Sequence, residues 1–135
     1  ISLTKEIEFD GSSLEKLNSA TLIASVENKI PLGGDVTLDF KDFNGQVVHR
    51  ENISLFTAAD VNAQGESDGV AKNTISTIDL TSTSIKSISS AETITVKVTL
   101  VLPDSADNSV ILKGTDEMNI TVGIEADANL SSDND

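Results

Sequence analysis

Thr37–Arg50 reads TLDFKDFNGQVVHR, and the fold turns on whether this stretch is an acid-rich metal loop or a turn between two strands. Laid on the calcium-loop pattern D-x-[DN]-x-[DN]-G-x5-E with Gly45 sixth, Asp42 falls third, Asn44 fifth and Glu51 twelfth. The first ligand position then falls on Phe40, which has no oxygen to offer. Phe40 instead continues an alternation with Val36 and Leu38, so an EF-hand is rejected. Asn44-Gly45 is a strong hairpin signal, and the expected turn is the two-residue type I′ form with both residues at positive φ. Closing it at Phe43 and Gln46 sets Asp39 opposite Arg50 and Val36 opposite Ile53, a charge pair and an apolar pair. His49 then faces Phe40, toward the inner side or rim of the sheet.

Working outward, period-two alternation recurs along the chain. Ile1, Leu3, Ile7 and Phe9 share one face, and Leu22, Ala24 and Val26 another. Ile94, Val96, Val98, Leu100 and Leu102 repeat the pattern, as do Met118, Ile120, Val122, Ile124 and Ala126. Further strands are expected at Val47–Leu55 and Thr74–Leu80, with a short one at Val110–Lys113. One apolar and one polar face per strand is the mark of antiparallel sheets with one side in water. The expected fold is therefore all-β, an antiparallel β-sandwich (immunoglobulin-like or LEA14-like) of about seven to eight strands with one or two short helical turns. Helical turns are expected at Ser12–Leu17, where Ser12 and Glu15 have capping-box spacing, and around Ile85, Ile88 and Ala91. Residues 1–127 read as one domain and 128–135 as an acidic flexible tail. The strand pattern begins at the first residue, so the chain reads as a processed product or an excised domain.

Composition removes several function classes. The 135 residues carry 22 acids against 9 bases, a net charge of -13. That field opposes phosphate backbones and anionic membranes, so no nucleic-acid partner is expected. No apolar run approaches the roughly 20 residues of a membrane span. With no cysteine there is no disulfide, thiolate metal site or cysteine nucleophile. The absence of Trp and Tyr argues against sugar or base recognition on aromatic platforms. Acidity, abundant Ser and Thr, and no Cys together lean toward an extracytoplasmic location, whether periplasmic, cell-surface or secreted.

Candidate chemistry is thin. Gly65–Gly69, GESDG, matches the nucleophile-elbow pattern around Ser67, but that motif needs a strand-to-helix turn and a histidine later in the chain. His49, the one histidine, precedes Ser67 and reads as structural. Weak calcium candidates are Asp104, Asp107 and Asn108 in one loop, and Asp60 and Asp68 near Glu66 in another. No other cofactor and no catalytic set is expected, so the chain reads as a non-enzyme. Asn52 and Asn119 head glycosylation sequons on polar strand faces. The candidate interaction residues are Phe43 at the hairpin tip, and Asn62 and Glu66 in the long Thr57–Lys72 connection. Phe43 is expected to pack against a neighbouring loop more readily than to meet a partner.

Leu22–Val48, LIASVENKIPLGGDVTLDFKDFNGQVV, resembles the start of LEA14/WHy-type domains, with strand, Asn, Pro, strand, Gly and strand in order. It departs from them in that Lys29 and Ile30 separate Asn28 from Pro31. The resemblance implies a sandwich and permits an apolar ligand between its sheets, in a cavity lined by Leu22, Val96, Val98 and Ile120. The leading expectation is a non-catalytic sandwich with a structural or interaction role, in adhesion or assembly, at the bacterial envelope. Lipid or apolar-ligand binding and a calcium-dependent surface or filament subunit are the alternatives. A protein partner or self-assembly is expected, for example by donation of Ile1–Phe9 as a strand.

Overall fold

A computed structural model describes residues 2–101 and 117–126. The predicted short strand at Val110–Lys113, the Asp104, Asp107 and Asn108 loop, and the 128–135 tail lie outside them. Seven strands form two antiparallel sheets among the described residues, the β-sandwich expected from the alternation. They are β1 (Ser2–Glu8), β2 (Ala20–Asn28), β3 (Gly34–Lys41), β4 (Val47–Phe56), β5 (Lys72–Leu80), β6 (Thr93–Leu100) and β7 (Met118–Ala126). The first sheet has the order β1-β6-β3-β4 and the second β5-β2-β7.

The apolar faces meet between the sheets. Leu22, Val26, Val36, Leu38, Phe40 and Ile94 are fully buried there. The predicted pairs Asp39–Arg50, Val36–Ile53 and Phe40–His49 are all present in the β3–β4 ladder. Beyond Phe40 the register shifts, because Lys41 pairs with Val47 and leaves Val48 as an extra residue. The bulge follows from the turn, whose type differs from the type I′ expectation. No residue other than glycine has positive φ among those described, and Gly45 alone in this turn does, at 79°. Gly45 N donates to Asp42 O at 2.9 Å and Asp42 N to Gln46 O at 2.9 Å. This is the three-residue hairpin, a type I turn followed by a left-handed glycine. Asp42 decides it: its Oδ1 accepts from Asn44 N at 2.9 Å and Gln46 N at 3.0 Å, which holds Asn44 out of the left-handed region.

α1 (Ser82–Ile88) links the two sheets across one end of the sandwich. Thr81 caps it by accepting from Ser84 N, and Ile85, Ile88 and Ala91 are buried as their spacing predicts. The earlier turn is a 3-10 segment, Gly11–Leu14, whose cap is Asp10 rather than Ser12. Asp10 Oδ1 accepts from Ser12 N at 3.2 Å, so the capping box expected from Ser12 and Glu15 gives way to a shorter, earlier cap. Gly11 N donates to Ala91 O at 3.1 Å and brings this turn against the end of α1. A Cβ on Gly11 would lie 2.3 Å from Ile88 O and 2.8 Å from Ala91 O, both backbone. Gly11→Ala is therefore expected to cost about 2 kcal/mol, within the range for overpacking, and thermal unfolding would measure it. Gly45→Ala, where no atom lies within 4 Å of the added Cβ, is expected to cost only the roughly 1 kcal/mol of a left-handed alanine.

Candidate interaction sites

The two ends of the sandwich present different surfaces. At the end holding α1, the Asp42–Gln46 turn projects Phe43, which is 80% exposed. The expected packing of Phe43 against a neighbouring loop is thus overturned. It occupies the second position of the type I turn, and the Asp42 carboxylate spends its lone pairs stiffening the backbone beneath it.

The Thr57–Lys72 connection lies at the opposite end, so Asn62 and Glu66 are not brought together with Phe43. Much of it is a small hairpin built like the first. Asn62 N donates to Glu66 O at 2.8 Å, Gly65 N to Asn62 O at 3.0 Å, and Gly65 has φ of 82°. Asn62 Oδ1 accepts from Gln64 N at 2.9 Å and Glu66 N at 3.0 Å. DFNGQ and NAQGE are one local motif: an Asx side chain three residues ahead of a left-handed glycine. Asn62 is therefore a turn former, and Glu66 Oε1 takes a further bond from its amide at 3.4 Å. Ser67 is buried, bridges to Val61, and its Oγ accepts from Gly69 N at 3.1 Å. The GESDG stretch contains a strand-like bridge and a turn, not a strand-to-helix elbow.

The acids of this loop are engaged in its folding. Asp60 Oδ2 lies 3.0 Å from Lys72 Nζ, and Asp68 Oδ1 accepts from Val70 N at 2.9 Å. Among the described residues no group of three or more His, Asp or Glu is placed to hold a metal ion. The loop is tied to the body by Asn28, a residue that is fully buried. Its amide donates to Leu32 O at 3.0 Å and Thr57 O at 2.9 Å, and its Oδ1 accepts from Ile30 N at 2.9 Å. Ala59 N adds a bond to Ile30 O at 3.0 Å.

On β4, His49 Nε2 and Glu51 Oε2 share a hydrogen bond at 2.6 Å, both half-buried on the inner face. The His49 ring lies 5.8 Å from that of Phe40, close to the placement expected for it. On the outer face, Arg50 grips Asp39 with two bonds, Nε to Oδ1 at 2.5 Å and Nη2 to Oδ2 at 3.0 Å. That pairing holds the Asp39 carboxyl below its usual 3.8, against a smaller opposing effect of burial. Because the folded value is depressed, the pair contributes stability above the unfolded carboxylate range and loses it as pH falls through the folded value. The stability gap between the wild type and Arg50→Gln is expected to be small at pH 7 and to close as pH falls below the ordinary carboxylate range, as urea titrations would show.

Among the described residues nothing covers the long side of the sandwich between β1 and β7. A groove of about 280 Å³ runs along it, lined by Leu3, Lys5, Ile7, Val96, Val98, Met118, Ile120 and Val122 among others. Val96, Val98 and Ile120 were expected at a cavity, whereas Leu22 is sealed in the core and takes no part. Leu3 is 48% exposed, so β1 covers less of the core than its alternation suggested. β1 pairs with β6 through all seven of its residues and is not a free strand for donation. The sequence signal for the groove is Lys5, a charge set among Leu3 and Ile7 on the inward face of a strand.

Neither a protein-family model nor a curated protein matches the sequence. Solved structures share the fold. A presumed secreted protein of Parabacteroides distasonis superposes with a TM-score of 0.60 at 19% identity, over 93% of this chain and 37% of that one. Infectious bursal virus T=1 particles contain a chain matching at TM-score 0.51 and 8% identity, over 93% of this chain and 25% of that one. The chain thus spans about a third or less of the proteins it resembles. No helix among the described residues is long and apolar enough to cross a membrane.

Proposed function

We propose that this chain is a non-catalytic, extracytoplasmic interaction module with a structural role in adhesion or assembly at the cell envelope. The observation that supports it is Phe43, a large apolar side chain held 80% exposed on a stiff turn. An exposed aromatic at a rigid tip costs solubility and loses little conformational entropy on docking, which suits contact with a protein partner. The acidic field of a -13 chain favours solubility outside that contact. The fold shared with a presumed secreted protein accords with an extracytoplasmic setting. The test has two arms. A membrane-impermeant amine reagent applied to intact source cells should label the protein, and Phe43→Ser should lower retention of the purified chain on isolated envelopes several-fold without changing its melting temperature. Labelling only after lysis, or equal retention of both forms, would overturn the reading.

Lipid or apolar-ligand binding, which the LEA14/WHy resemblance permits, has the β1–β7 groove in its favour. Its volume of about 280 Å³ sits at the lower edge of ligand sites. Native mass spectrometry of the purified chain should show a bound lipid if that reading holds.

A further inference from the structure

With four strands in one sheet and three in the other, the second sheet has an unfilled strand position beside β7 among the described residues. The β1–β7 groove marks that position, with Leu3, Lys5 and Ile7 as its floor and the β7 edge as one wall. We propose that the groove takes an extended polypeptide strand from a partner protein, added to the edge of β7, with an apolar-x-acidic-x-apolar pattern facing inward.

The four sheet edges differ in how they resist such pairing. β1 points Lys5 inward, and β4 carries two register irregularities with His49 and Glu51 on its inner face. β5 places Lys72, Thr74 and Ser76 on its inner side. Inward charges, bulges and polar inner faces are the usual means of keeping an edge unpaired. β7 has none of these. It pairs with β2 through nine residues without a register break, and its inner residues are Met118, Ile120, Val122 and Ile124. Its one charged residue, Glu125, lies near its end on the outer face. No described strand pairs with the other side of β7, and alternate residues of such an edge turn N–H and C=O groups outward, ready for another strand.

The floor of the groove specifies the occupant. Lys5 is the one charged residue among those lining it, and its side chain makes no ion pair or hydrogen bond among the described residues. A strand laid over β1 therefore meets Leu3, Lys5 and Ile7 at successive inward positions. Apolar, acidic and apolar side chains answer them in turn. A lipid would leave the outward backbone groups of β7 unpaired, and two copies at -13 each would repel as they closed. The inference goes beyond the role assigned to Phe43 and stands independently of it, since the two surfaces are separate.

The test uses the whole chain and a capped nonapeptide, Thr-Val-Thr-Asp-Thr-Val-Thr-Val-Thr, followed by isotope-edited NMR and amide hydrogen exchange. The expected result is saturable binding, with new protection concentrated in β7 amides. Lys5→Glu should weaken the aspartate peptide about five- to tenfold and favour its lysine counterpart by a similar factor. Lys5 is exposed, so this variant is expected to fold, and its unchanged melting temperature would be the control. No saturable binding at millimolar peptide, equal binding of both peptides to both proteins, or β7 edge amides already protected in the free chain would each overturn the proposal. So would a tightly held lipid or a concentration-dependent dimer that excludes the peptide. Failure of Phe43→Ser to alter envelope retention would leave this outcome unaffected, so the two readings fail separately.

Discussion

Asn28→Ala is expected to lower stability by about 3–5 kcal/mol, because it strands two carbonyls and one amide N–H that the side chain satisfies together. Each buried group left unpaired costs about 1–3 kcal/mol, and water entering the small void returns part of that. For a domain of this size the melting temperature should fall by roughly 10–20 °C. Asn28→Asp separates the hydrogen-bond account from simple loss of volume. At neutral pH the carboxylate would face Leu32 O and Thr57 O, both acceptors, and should be at least as damaging as alanine. Burial raises the folded pKa of such a carboxyl, so the variant should recover stability relative to wild type as pH falls and the group gains a proton to donate. Urea titrations at pH 7 and pH 5 would show it. If Asn28→Ala costs under 1 kcal/mol, the buried amide is not what ties the Thr57–Lys72 connection to the body.

Phe40→Ala is expected to cost about 3–5 kcal/mol by removing a fully buried ring and leaving a cavity between the sheets. Phe40 is among the largest fully buried side chains, and the Phe9 ring meets it edge-on at a centroid distance of 5.4 Å. Its loss also removes the surface against which His49 packs. Phe40→Leu should cost only about 1–2 kcal/mol, since most of the volume is retained. Phe9→Ala should fall between them, because Phe9 is only half-buried. Circular dichroism melts of the three variants would give the order, and a Phe9→Ala cost equal to that of Phe40→Ala would contradict the burial argument.

These two residues show how unevenly the chain announces its structure. Phe40 was legible, since alternation with Val36 and Leu38 assigns it to the core and removes it from any metal loop. Asn28 was visible only as part of a strand-Asn-Pro order. Its role depends on Thr57, 29 residues further on, and no local pattern encodes that bond. The turn at Asp42–Gln46 lies between these cases. The decisive signal was present in Asp42, three residues ahead of Gly45, but Asn44-Gly45 favours a two-residue turn when read alone. The same motif at Asn62–Glu66 was obscured by the resemblance of GESDG to a catalytic elbow. Phe43 was expected to pack against a neighbouring loop, and its exposure follows from the turn type and not from its own chemistry.

What the sequence determined by itself is the seven described strands, their buried faces and the central β3–β4 pairs. Side chains alternate with a period of two, so burying one face assigns every residue of a strand, and a one-residue slip would expose the core. It also determined α1, because Ile85 and Ile88 fall on one helical face ahead of a buried Ala91. What only the tertiary structure decided is the order of strands in each sheet and hence, among the described residues, the unfilled place beside β7. Pairing partners far apart in the chain are chosen by the collective fit of two apolar faces, and alternation makes every strand look equally fit to pair. Lys5 was in plain view on the apolar face of β1, and it acquired a meaning only when no strand among the described residues lay above it.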